Sequence, residues 1–242
     1  MEGNTQKGCK SLGGLTTLRF RSLIKIRIRD VGSSMATKLY AGEAIVVPLL
    51  TKMKLRSPIL LEIASKTAGE RANVAACEPP PVAGFETWRW ATRFFREDRT
   101  VQDDGWVPCE QDQVSGIRHP DLGIKLVACT TDENTGNPKR QPKNVTERGP
   151  ASCRLIARNT GQMRLAFDRD KPHDEIWYYC LHLSEKYISV EISRPDSEIA
   201  GTITNFSDRI IIAQPGEIPG IRKVDVPEEF ADVPKPQVSR KV

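Results

Sequence analysis

Apolar residues recur at two different spacings along the chain, and the change from one to the other divides it. In residues 57–68, Ile59, Leu60, Ile63, Ala64 and Thr67 fall on one helical face. Ser57 and Pro58 precede them as an N-cap and a first-turn proline. This helix is expected to end near Ala68 and Gly69 or to fray toward Ala76. The run Glu78, Pro79, Pro80, Pro81 cannot continue a helix and reads as a stiff extended connector. Residues 85–99 form the strongest amphipathic segment. Phe85, Trp88, Ala91 and Phe95 make its apolar stripe, while Arg89, Arg93 and Arg96 share another face. Trp90 lies off the stripe, near Glu86, Arg93 and Glu97.

From Trp106 onward the period drops to two. Residues 123–129 alternate, residues 176–183 are rich in aromatic and branched side chains, and Ile188, Val190 and Ile192 alternate with Ser189, Glu191 and Ser193. Residues 184–187 read as a hairpin connection and residues 209–213 as a further strand. Residues 152–158 fit a short helix stopped by Asn159, Thr160 and Gly161. The expected fold class is α+β, a mainly antiparallel sheet with a few helices packed on one side. A basic N-terminal arm and a Pro-containing C-terminal tail flank it. The boundaries that follow are a basic, disordered arm over 1–34, a helical part over 35–78, an α+β body over 85–213 and an extended tail over 214–242. Within the body, residues 130–150 hold almost no apolar side chain and read as a long polar loop.

Charge is distributed unevenly over this plan. The first 34 residues carry Lys7, Lys10, Arg19, Arg21, Lys25, Arg27 and Arg29 against Glu2 and Asp30, which accounts for the whole net charge of +5. The other 29 basic and 29 acidic side chains balance. A basic arm on a neutral body attracts phosphate or anionic lipid while the body adds no long-range pull. The arm also fits a transit peptide, or a segment upstream of the true start, since Met35, Ala36, Thr37 and Lys38 make an ordinary beginning. Residues 23–29 alternate Ile24, Ile26 and Ile28 with Lys25, Arg27 and Arg29, which would suit an added strand if the arm docks. The strongest uncharged apolar run, residues 44–50, is interrupted by Pro48 and falls far short of the ~20 residues a membrane span needs. No membrane span is expected, and the location is read as cytoplasmic.

Candidate chemistry is sparse. Phosphate-loop, dinucleotide, nucleophile-elbow and zinc-protease motifs are absent, so no cofactor is expected. The six cysteines form no C-x-x-C pair and are expected to be reduced and mostly buried. Cys180 and His182 share a strand face and would supply two metal ligands with Cys153 or His173, although a buried thiol and a satisfied imidazole explain them as well. Cys109 with His119 is a weaker thiol and base pair. Asn144 and Asn205 sit in glycosylation triplets, read as chance without an export route.

The positive charge of the loop and the helix then carries the functional expectation. Lys139, Arg140, Lys143 and Arg148 lie among glycines, prolines and asparagines, giving mobile donors for a phosphate backbone. With Arg27 and Arg29 of the arm and Arg89, Trp90, Arg93 and Arg96 of the helix, they define a nucleic-acid-associated accessory protein, non-enzymatic, with DNA or RNA as partner. Engagement of five charges by duplex DNA predicts a slope of log affinity against log salt of about −4 to −5. The alternative is a protein-interaction module with a protein partner, docking through a sheet edge at residues 188–192 or the C-terminal tail. A third reading is a hydrolase that uses scattered carboxylates and His119.

Overall fold

A computed structural model describes residues 36–75, 77–79, 81–110, 114–160 and 174–221. The chain divides into two units, Met1–Ser34 and Met35–Val242, and every described residue belongs to the second. Arg27, Arg29 and His173 lie outside the described residues, as does the tail beyond residue 221.

Chain order is β1 (Lys38–Tyr40), α1 (Glu43–Lys52), α2 (Ser57–Ala72), α3 (Pro81–Glu97), α4 (Arg99–Asp103), β2 (Val107–Cys109), β3 (Gly116–His119), β4 (Ile124–Thr130), α5 (Pro150–Asn159), β5 (Glu175–Leu183), β6 (Tyr187–Ile199) and β7 (Thr202–Pro219). Periodicity places α2, α3 and α5, with ends that differ by a few residues, whereas α1 and α4 are not anticipated by it. Arg56, with extended backbone, occupies the N-cap of α2, so Ser57 is already helical. Pro81 opens α3 instead of ending the connector, because a first-turn proline loses no hydrogen bond there. The buried side of α3 is also rotated from the expected stripe. Thr87, Ala91, Thr92 and Phe95 are buried, whereas Phe85 is 56% exposed.

The seven strands form one mixed sheet in the order β1-β7-β6-β5-β4-β3-β2. The fold is α+β in its broad class, but it is richer in sheet and less uniformly antiparallel than the sequence pattern implies. The pairs β1 with β7 and β4 with β5 run parallel, and the other four are antiparallel. The parallel β4–β5 pair follows from the long connection between them, which carries α5 back to the start of the sheet. Residues 188–192, expected to offer an edge, lie instead in a central strand, because β6 pairs with β5 on one side and β7 on the other. Residues 214–219, expected to open the tail, complete β7, with Ile218 and Pro219 opposite Ile188 and Tyr187.

Two apolar cores sandwich this sheet, one on each face. On the first face Leu50, Leu60, Ile63 and Phe95 from α1, α2 and α3 meet Tyr179, Leu181, Val190, Ile192 and Ile210. On the second, Leu155 and Ile156 of α5 meet Tyr178, Cys180, Cys129 and Phe206. Helices therefore cover both faces, a correction to the single helical layer expected. The polar row Ser189, Glu191 and Ser193 of β6 is fully buried as well. Alternation along that strand signals a wet second face only when nothing covers it, and here residues 131–148 do.

That covering segment is irregular in backbone yet tied down along its length, unlike the mobile loop expected. Gly136 donates its N–H to Glu191 Oε2 at 2.7 Å, and Arg209 donates to the carbonyls of Arg140 and Asn137. Asn144 accepts from Ile203 N–H and donates to the carbonyls of Thr146 and Gly201. Gln141 accepts from Phe206 N–H. These side-chain amides replace a neighbouring strand along the start of β7. Ala200 and Gly201, both with positive φ, make the tight β6–β7 turn. A Cβ on Gly201 would sit 2.6 Å from the Arg148 carbonyl oxygen, so glycine is what lets residues 147–149 pack against the turn.

Candidate functional site

The residues expected to bind phosphate divide among three environments. The outer face of α3 presents Arg89 and Arg93, both exposed, on either side of Trp90. Their guanidinium carbons stand 4.8 and 5.0 Å from the Trp90 ring, a cation–π arrangement. Trp90 stacks on Phe94 at 5.5 Å, which fixes the indole against the helix. Both arginines also have carboxylate partners one turn away, Arg89 with Glu86 at 2.9 Å and Arg93 with Glu97 at 2.7 Å. Arg96 points elsewhere. It pairs with Glu110 at 3.0 Å and donates to the carbonyls of Cys109 and Gly116, tying α3 to β2 and β3.

Lys139, Arg140 and Lys143 are exposed, but on the segment covering the second face of the sheet. The α3 face lies over the first. The structure does not bring these two groups onto one surface, because seven strands lie between the helical layer and the loop.

Arg148 belongs to neither group. Its guanidinium is buried at the end of β4, where Nη2 donates to the Cys129 sulfur at 2.7 Å and the cation lies 5.2 Å from the Tyr178 ring. Among the described residues no carboxylate pairs with it, and its Nε has no partner. Cys129 stands opposite Cys180 in the parallel β4–β5 register, and both thiols are buried. Burial alone pushes the Cys129 thiol up, but hydrogen bonding with Cys180 and the nearby Arg148 cation bring it down to about 7. Burial and the Cys129 neighbour push Cys180 well above the ordinary thiol range. The Tyr178 phenol is raised by burial, with Arg148 opposing. Arg148 also lines a cavity of about 320 Å3 on the α3 side of the sheet, with Ala128, Thr130, Thr146, Phe85 and Trp88, and neither thiol reaches it.

The remaining chemical candidates have structural roles. His119 is buried, with Nε2 against the Asp104 carbonyl at 3.1 Å, Nδ1 accepting from Leu122 N–H, and its ring edge-on to Trp106. Both ring nitrogens are engaged within the protein. Cys109 pairs with Gly116 across the β2–β3 ladder, away from His119 in register. His182 Nδ1 faces the Thr131 carbonyl at 3.3 Å, while Cys180 faces Cys129. Among the described residues no group of three His, Cys, Asp or Glu is arranged to hold a metal ion. Asn144 is buried, and Asn205 is bonded to Asp196, so neither amide stands free for a glycan. No helix among the described residues is long and apolar enough to cross a membrane.

Comparison with protein-family models, curated proteins and solved structures finds no match to this chain. The site has to be judged on its own geometry. Sequence spacing found the Arg89, Trp90 and Arg93 group but missed the cluster of Arg148, Cys129 and Cys180. Residues 129 and 180 are 51 positions apart, and only the strand register unites them.

Proposed function

We propose that this is a non-enzymatic accessory protein whose α3 outer face holds single-stranded nucleic acid. The observation that carries the reading is the exposed pair Arg89 and Arg93 flanking Trp90, with Phe85 exposed on the same helix. Aromatic faces accept bases without regard to sequence, and guanidinium groups follow the backbone phosphates. Arg27 and Arg29 of the basic arm are further phosphate-binding candidates in this reading, and Lys139, Arg140 and Lys143 serve only a strand long enough to wrap from one face to the other. Arg96 and Arg148 position the fold instead of touching phosphate, since their guanidinium groups are already engaged within the protein.

The test is a titration of labelled single-stranded and duplex oligonucleotides at several salt concentrations. Single strand is expected to bind more tightly. Trp90→Ala should weaken it by about 1–3 kcal/mol, the usual contribution of one stacked base. Replacing both Arg89 and Arg93 by Ala should reduce the salt slope by roughly 1.4, at ~0.7 per lost phosphate contact. Salt-independent retention, or none for either form, overturns the reading.

A second reading is favoured by Glu86 and Glu97, which already neutralise Arg89 and Arg93. The patch is then a nearly neutral aromatic surface suited to a protein partner. Loss of a co-purifying protein in Trp90→Ala, with no oligonucleotide binding by the parent chain, selects it.

A further inference from the structure

We infer that Cys129 and Cys180 are a redox-active dithiol that Arg148 primes for oxidation by a hydroperoxide, and that the product is a disulfide between β4 and β5.

Two features of the geometry carry this. Cys129 and Cys180 are direct partners in a parallel ladder, with both side chains buried in the same core on one face of the sheet. Adjacent strands lie ~4.8 Å apart, inside the ~4.4–6.8 Å that a disulfide requires between Cα atoms. Second, the Arg148 guanidinium donates to the Cys129 sulfur at 2.7 Å and has no carboxylate partner among the described residues. A buried cation needs a counter-charge, and the Cys129 thiolate is the anion within reach.

The chemistry balances with the peroxide as the oxidant. The Cys129 thiolate attacks one peroxide oxygen, the O–O bond breaks, and hydroxide leaves to take up a proton as water. The sulfur of Cys180 then displaces the oxygen from the Cys129 sulfenic acid. An S–S bond forms, the S–O bond breaks, and the Cys180 proton leaves with that oxygen as a second water. Two electrons pass from the two sulfurs to the peroxide. Oxidation removes the thiolate, leaving Arg148 a buried cation without a partner. That removes the side-chain contact of Arg148, while its backbone N–H still donates to the Gly201 carbonyl.

The charged and titratable groups facing Cys129 are Arg148 from the covering segment, Cys180 and Tyr178 from β5, and Glu191 from β6. Cys153 of α5, half-buried, donates to the Arg148 carbonyl at 3.5 Å, and burial raises its thiol. It serves as an internal control, close to Arg148 in space but not held by the guanidinium.

The experiment treats the reduced full chain with hydrogen peroxide near neutral pH, blocks remaining thiols in denaturant, and maps peptides by mass spectrometry. A Cys129–Cys180 linked pair is expected before oxidation of Cys77, Cys109 or Cys153, and dithiothreitol should reverse it. Linkage should depend on pH with a midpoint near 7. In Arg148→Met that midpoint should move up by roughly one unit or more, and the rate at neutral pH should fall about threefold or more. First oxidation at exposed Cys77, with Cys129 and Cys180 recovered as free thiols, overturns the proposal. So does a linked pair whose rate and midpoint are the same in Arg148→Met. The mapping on the unaltered chain decides the first point even if the variant fails to fold.

Discussion

Two arginines, Arg209 buried and Arg148 partly so, reach into the second face of the same sheet, and they are satisfied in opposite ways. Arg209 is 2% exposed and faces the fully buried Glu191, with contacts of 2.6 and 3.0 Å. Its remaining donors reach the carbonyls of Arg140 and Asn137, and Ser193 donates to the same carboxylate at 2.7 Å. Arg148 has a thiol, an aromatic face and an unpartnered Nε. A cation closed by a carboxylate and two carbonyls acts as a fixed pin. A cation closed by a thiol depends on whether that thiol is ionised or oxidised. The contrast separates a structural site from a responsive one, although nothing in the local sequence distinguishes Arg148 from Arg209.

The sharpest way to break this comparison is at the fixed pin. Arg209→Met leaves Glu191 buried without its cation and releases the carbonyls of Arg140 and Asn137. It should lower stability by about 3–5 kcal/mol, read as the shift in denaturant midpoint. Replacing both Arg209 and Glu191 by apolar residues should recover most of that loss, and a double variant no better than the single one would deny the pair its role.

Asn144 tests the edge of β7 that the same covering segment protects. Asn144→Ala removes the acceptor for Ile203 N–H and the donor for two carbonyls, at a cost of about 1–3 kcal/mol. Faster amide exchange at Ile203 should accompany it. Unchanged exchange there would mean that the amide does not serve as a surrogate strand.

The responsive site predicts a pH dependence. The folded Cys129 lies near 7 against 9.0 for a free thiol, so between those values the unfolded chain binds more protons. Stability from this group is fully present above 9 and is lost as pH falls through 7, about 3 kcal/mol in all. Cys180, raised in the folded state, opposes it above 9, where the unfolded thiol ionises first. Unfolding free energy should therefore rise from pH 7 toward 9 and then turn down. In Cys129→Ser the rise should vanish while the downturn remains, and a rise that persists would place its source elsewhere.

The smallest effect is expected on α3. Arg89→Ala and Arg93→Ala remove exposed helix ion pairs and should change stability by less than about 0.5 kcal/mol. Any loss of ligand retention in these variants then reports the surface itself. A large destabilisation would show that the face supports the fold.

Local pattern determined the helices and strands. The period of 3.6 in α2 and α3 and the period of two in β4, β5 and β6 reflect which side chains share a face of one element, a property of neighbouring residues alone. The same pattern misjudged what covers each face. Ser189, Glu191 and Ser193 look solvent-facing by composition, and Lys139 to Arg148 look like a solvated loop. Burial of that polar row required the loop to return across the sheet and Arg209 to neutralise Glu191 from the next strand. The partners of the arginines were likewise a tertiary decision. Helical neighbours supply Glu86 for Arg89 and Glu97 for Arg93, which are three or four residues away and visible in the sequence. Cys129 meets Cys180 and Arg148 only because β4 and β5 align in parallel and residues 147–149 pack against Gly201. Strand register and chain return are set by the summed burial of two cores, and no short stretch of sequence encodes that sum.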